Sequence, residues 1–150
     1  MAVKNIPDEH HVVRYCKKNL TIREDGTIIG VFPEMFHLRA ATPTRKQEEY
    51  LSAVYYEHFR GTPSERMKAC RGGIQLSLTP KDALVRLNVK AVKEQGAKRK
   101  RSLRVTHEPS KECPSYAAIR QLPVEPDDEL CNLLASLAVV EIVQVSALPP

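Results

Sequence analysis

Half of the aromatic side chains in this sequence fall within thirteen consecutive positions. Residues 48–60 read EEYLSAVYYEHFR and carry Tyr50, Tyr55, Tyr56 and Phe59, out of five Tyr, three Phe and no Trp. Buried aromatics contribute heavily to core stability, so a chain this poor in them must organise its core around this stretch. Its period fits two structures. Tyr50, Val54 and His58 recur at i, i+4 and i+8, as do Leu51, Tyr55 and Phe59, which suits a helix with a broad apolar face. The composition Tyr-Leu-Ser-Ala-Val-Tyr-Tyr suits a strand. The reading adopted is a strand over 51–53 running into a helix, with Tyr55 and Phe59 in the core.

At 150 residues the chain is one domain's worth, and 42% hydrophobic with 27% charged residues is a globular composition. One globular domain over 1–150 is expected, with loose termini at 1–9 and 146–150. The apolar-rich run 133–145 is interrupted by Ser136, Glu141 and Gln144, too short and polar for a membrane span. Cys16, Cys70, Cys113 and Cys131 are widely spaced and the first nine residues lack an apolar core, so reduced thiols in the cytoplasm are expected.

Local signals place the remaining elements. HVVRYC (His11–Cys16) and TIIGV (Thr27–Val31) read as strands, the second following an Asp25-Gly26 turn. Residues 33–36 suit one helical turn, and 36–39 suit a strand. Thr62-Pro63-Ser64-Glu65 is a capping box with Pro at the first helical position, predicting a helix over 63–71 ended by Gly72-Gly73. IQLSL (74–78) and ALVRLNV (83–89) alternate and are expected to pair. A short helix over 89–95 should stop at Gly96, followed by strands over 102–107 and 116–119. Asp127, Asp128 and Glu129 favour a helix start, and Leu130, Leu133, Leu134 and Leu137 keep helical spacing to 137. Val139 to Val145 fits either a continuing helix or a strand. The fold class is α+β: a mainly antiparallel sheet of four to six strands with two or three packing helices.

HVVRY, EEYLSAVYYEHF and CPSYAAI resemble motifs of a family of small bacterial proteins with no established activity. In that family the central stretch reads Tyr-Leu-Ser-Val-Asn-Trp-Leu-Glu and the late motif Pro-Ser-His-Ala-x-Ile. Here Val54-Tyr55 replaces Asn-Trp, and Tyr116 stands at the late histidine. The resemblance implies a bacterial, cytoplasmic protein and supplies no catalytic residues.

Motifs exclude several chemistries. There is no Gly-x-Ser-x-Gly elbow around Ser52, no phosphate-binding glycine loop, and no pair of Cys or His at zinc-finger spacing among four Cys and five His. No metal or cofactor is implied. A polar site assembled from several strands remains, built from His11, Arg14, Ser52, Glu57 and His107. It shares residue types with the sites of ADP-ribosyl-transferring folds. A basic run, Lys98, Arg99, Lys100 and Arg101 with Arg104, forms a candidate polyanion contact. The functional expectation is an accessory protein working through contact with another macromolecule, another protein first and nucleic acid second. An enzyme using the five-residue polar site is the alternative.

Overall fold

The computed structural model describes residues 3–74, 77–138 and 142–148. They form an α+β domain: a seven-stranded antiparallel sheet, a separate two-stranded hairpin and three helices. The strands are β1 (Lys4–Asn5), β2 (His11–Cys16), β3 (Thr21–Glu24), β4 (Thr27–Val31), β5 (Tyr50–Tyr55), β6 (Ala83–Asn88), β7 (Arg104–His107), β8 (Tyr116–Arg120) and β9 (Ile142–Gln144). The main sheet runs β1-β7-β8-β5-β2-β6-β9, and β3 pairs only with β4. The helices are α1 (Pro63–Gly73), α2 (Val89–Lys98) and α3 (Asp128–Ala138).

Strand alternation divides the core into two clusters, one on each face. Val12, Cys16, Leu51, Ala53, Val85, Leu87, Val105 and Ile119 belong to one, with Leu130 and Leu134 of α3, Val92 of α2, and Phe36. Val13, Val54 and Leu84 belong to the other, with Tyr56 and the α1 residues Met67 and Cys70.

The central stretch resolves as a strand, longer than expected, followed by a 3-10 turn at Tyr56–His58 instead of a helix. Pairing with β8 from Tyr50 to Val54 satisfies its backbone, and the β-rich composition prevails over the helical spacing. The aromatic anchor is therefore Tyr56, only 2% exposed, whereas Tyr55 and Phe59 are partly buried at the cluster margins.

The capping box is present in full: Glu65 N–H donates to Thr62 Oγ1 at 3.2 Å, and Thr62 N–H donates to Glu65 Oε1 at 3.1 Å. α1 does end at Gly73, two residues later than expected, but without a left-handed glycine cap: both glycines are helical with no positive φ, and Ile74 is the cap residue. Gly73 instead allows close approach, since a Cβ there would lie 3.0 Å from Ser115 Oγ. Gly96 likewise sits inside α2, where a Cβ would meet Leu103 Cγ at 2.6 Å. Asp25 (φ 52°) and Gly26 (φ 79°) form the left-handed pair of a two-residue hairpin turn between β3 and β4.

Several expected elements differ. Residues 36–39 form no strand beyond the 3-10 turn Pro33–Phe36. Of the 74–78 segment, Gln75 and Leu76 lie outside the described residues, and the rest is not in a strand; β6 pairs with β2 and β9. The buried stripe of α3 is Leu130, Cys131, Leu134, Ala135 and Ala138, with Leu133 and Leu137 only partly buried. Small side chains on that stripe admit the 33–36 turn, and Cys131 Sγ lies 3.9 Å from the Phe36 carbonyl. The strand reading of the segment after α3 holds for Ile142–Gln144, while 139–141 lie outside the described residues. In the segments expected to be loose, several described residues are tied in. β1 pairs with β7, Ile6 is buried, and Leu148 is buried beside the α1 cluster.

Candidate functional site

The two halves of the main sheet meet along a short seam. β2 pairs with β6 along its whole length, and β5 pairs with β8 from Tyr50 to Val54. Between β2 and β5 the partner pairs are only Val12↔Tyr55 and Val13↔Val54. Past Val13 the strands part, and a cleft of about 460 Å³ opens there, lined by residues from both strands, from 33–39 and from the end of α1. Its apolar lining is Val13, Leu20, Met35, Ala53, Val54 and Ile74.

Arg14 reaches into this opening from β2. Its Nη1 donates to the Ser52 carbonyl at 2.5 Å and its Nη2 to the Met35 carbonyl at 3.0 Å. The guanidinium thus stands in for a ladder N–H from β2 as donor to the Ser52 carbonyl. Nε is shielded from solvent and has no hydrogen-bond partner among the described residues. Burial lowers the Arg14 pKa to about 10, only partly offset by the Glu48 charge. No carboxylate bonds to the guanidinium among the described residues: Glu48 accepts from Arg39 N–H and Nε–H at 2.9 and 3.2 Å.

Ser52 and Tyr116 line the cleft and belong to a hydroxyl chain that continues to Tyr50. Tyr116 OH donates to Tyr50 OH at 3.2 Å, so Ser52 Oγ, 2.7 Å from Tyr116 OH, is the donor to Tyr116. Burial pushes the Tyr116 phenol up to about 12, keeping it a neutral hydroxyl at physiological pH. The Arg120 guanidinium covers the Tyr50 ring at 4.3 Å and is held by Glu108 at 2.5 and 2.6 Å.

The other sequence candidates lie elsewhere. His11 is not part of the cleft lining; its backbone N–H and Nδ1 bond Glu57 at 2.7 and 2.6 Å. Burial works against the Glu57 charge, but the His11 bonds outweigh it and hold the carboxyl below its usual value. His107 belongs to a ring cluster at the strand ends. Its centroid is 5.0 Å from Tyr55 and 5.7 Å from His58, and its Nε2–H donates to the Pro114 carbonyl at 2.7 Å. His10 Nδ1 lies 2.5 Å from Tyr55 OH in the same cluster. The structure therefore brings Arg14 together with Ser52, and His11 with Glu57. The residue grouping shared with ADP-ribosyl-transferring folds is divided among three places, with His107 apart from both pairs. Sequence reasoning missed Tyr50, Tyr116, Glu48 and the Met35 carbonyl, because nothing in linear spacing signals a gap between strands.

The basic run is divided too. Arg99 is held by Asp127 at 3.0 Å and Glu129 at 3.1 Å at the start of α3, and Arg104 donates to Asn5 at 3.1 Å. Lys100 (φ 57°) and Arg101 turn instead toward Lys90 and Lys93, and these four line a shallow groove of about 630 Å³ with Asp8 and Glu94. Lys93 pairs with Asp8 at 2.6 Å.

Among the described residues no group of three or more His, Cys, Asp or Glu is placed to hold a metal ion. All four cysteines are free and buried, and burial raises the Cys16 and Cys70 thiols to about 12 and Cys131 to about 11. No helix among the described residues is long and apolar enough to cross a membrane. Comparison with known proteins finds no matching family model, curated protein or solved structure.

Proposed function

We propose that this protein works by binding, and that its ligand enters the cleft between β2 and β5 and presents anionic oxygen to Arg14. The observation that supports this is a guanidinium drawn between two strands, with one nitrogen unpartnered and no carboxylate bonded to it. An under-compensated buried cation is costly, and perturbed charges of this kind concentrate at functional sites. The cleft volume falls within the usual range for small-molecule sites.

The test is localisation. Isotope-labelled protein is screened by NMR against a library of small anions, and shifts are mapped. Hits should perturb Arg14, Ser52, Tyr116 and Gly73. Hits that gather instead around His11, Glu57 and His107 would favour the enzymatic alternative and overturn this reading.

A second reading, contact with a polyanion such as nucleic acid, draws on the groove at the end of α2. Lys90, Lys100 and Arg101 line it and make no side-chain ion pair among the described residues.

A further inference from the structure

We infer that the anionic group received by the cleft is a carboxylate on an apolar body, a monoanion and not a phosphate ester. This rests on the cleft reading above and deepens it. Three features of the cleft point to this class.

The first is charge. The permanent charges lining the cleft are Arg14, Lys17 and Arg39 against Glu34 and Glu48. Arg39 and Glu48 neutralise each other in an ion pair at 3.2 Å. What remains among the described lining residues is an excess of one positive charge. A single negative charge balances it. A dianionic phosphate ester would leave Glu34 facing a surplus of negative charge.

The second is donor geometry. Arg14 has five N–H groups. Nη1 and Nη2 each give one to a backbone carbonyl, and the Nε–H is shielded. One N–H therefore remains on each terminal nitrogen. Two remaining donors equal in number the two oxygens of a carboxylate. The three oxygens of a phosphate ester would call for further donors. The chain Ser52–Tyr116–Tyr50 runs its protons toward Tyr50, away from Arg14, so it offers little to a third oxygen.

The third is the lining. Val13, Leu20, Met35, Ala53, Val54 and Ile74 give the rest of the ligand an apolar surround. Burying an apolar body there supplies affinity that a bare anion lacks.

The carboxylate has two possible sources, a small organic acid or the C-terminus of a protein chain, and the probes separate them. Phenylacetate represents the first and N-acetylphenylalanine the second, with N-acetylphenylalanine amide and phenyl phosphate as controls. Binding is measured by calorimetry to the wild type, Arg14→Lys and Lys17→Gln, each checked for folding by circular dichroism. At least one carboxylate should bind the wild type, with the amide and phenyl phosphate roughly tenfold weaker or worse. Arg14→Lys keeps the charge and loses the fork, so carboxylate binding should fall about tenfold. Lys17→Gln, at the exposed rim, should weaken it severalfold and keeps the test informative if the Arg14 variant misfolds. Tighter binding of phenyl phosphate, lost in Arg14→Lys, would overturn the carboxylate assignment while leaving the cleft reading intact. Carboxylate binding unaffected by either variant, or no binding of any probe at millimolar concentration, would overturn both.

Discussion

Tyr56→Ala tests whether one aromatic side chain anchors the α1 face of the sheet. Tyr56 is 2% exposed and belongs to the cluster of Val13, Val54, Met67, Cys70 and Leu84. The guanidinium carbons of Arg66 and Arg86 lie 5.5 and 4.9 Å from its ring centroid. Truncating a buried aromatic costs about 3–5 kcal/mol, and removing the ring from beneath each guanidinium adds about 0.5–1 kcal/mol. A domain near this length loses about 2–4 °C in Tm per kcal/mol. The variant should therefore melt roughly 8–28 °C below the wild type. Tyr55 provides the internal control. It is only partly buried, and its hydroxyl bonds His10 at the edge of the fold. Tyr55→Ala should cost about 1–2 kcal/mol, from one hydrogen bond and partial burial. Thermal and urea melts followed by circular dichroism measure both. The reasoning fails if Tyr56→Ala melts within roughly 3 °C of wild type, or if Tyr55→Ala is the more damaging change.

His58 is held below its usual pKa, first by burial and then by the nearby His107 charge. The folded state then takes up the His58 proton less readily than the unfolded chain. Its contribution to stability is intact above about 6.5 and is lost as pH falls through the depressed value. His58→Gln should flatten that part of the stability profile, and urea midpoints measured between pH 7.5 and 5 (roughly the titration window) would show no change in slope if the account is wrong. Gly96→Ala places a methyl group 2.6 Å from Leu103 Cγ and 3.0 Å from the Arg101 carbonyl. Overpacking of about 1–3 kcal/mol exceeds the helix-propensity gain of up to about 1, so the variant should be less stable in urea; a more stable one would show that the α2–β7 turn yields freely. On the polyanion reading, Lys90, Lys100 and Arg101 line the groove with no side-chain ion pair among the described residues, and three such contacts give the log–log salt dependence of duplex DNA binding a slope of about −2.7. Arg99→Gln should leave that slope unchanged, and a slope near −3.6 that falls on losing Arg99 would mean that Arg99 leaves its carboxylate partners to bind DNA.

The elements most legible in the sequence were those set by local chemistry. Thr62 and Glu65 cap α1 as their spacing requires. Asp25-Gly26 turns the β3–β4 hairpin, and the acids at 127–129 mark the start of α3, where Asp127 Oδ1 accepts from Leu130 N–H. Glycine was the weakest guide. Gly73 and Gly96 read as helix stops, but Gly73 is the helical last residue of α1, where a Cβ would lie 3.0 Å from Ser115 Oγ, and Gly96 lies inside α2, where one would meet Leu103 Cγ at 2.6 Å. Such a need is set by Ser115 and Leu103, residues distant or across a turn, and no local pattern records it. Strand partners were equally hidden. β6 looked paired to the segment just before it, yet its neighbours are β2 and β9, because pairing follows the arrangement of the whole sheet and not chain proximity.

The site lies between these extremes, and Arg14 shows why. Within HVVRYC, positions 12, 14 and 16 share one face, and Val12 and Cys16 both lie in the core cluster. Arg14 is therefore a cation at an inward position of a strand paired along its full length on one side. Such a charge must reach solvent or find polar partners, because leaving it dry and unpaired costs several kcal/mol. The sheet meets that requirement by parting from β5 after Val13, which exposes the Ser52 carbonyl to the guanidinium and opens the cleft beside it. The alternation of β2 was readable from the sequence, so the anomaly at Arg14 was readable with it. Which neighbouring strand would yield, and which carbonyls would answer, depended on Ser52 and Met35, and those only the fold brings alongside.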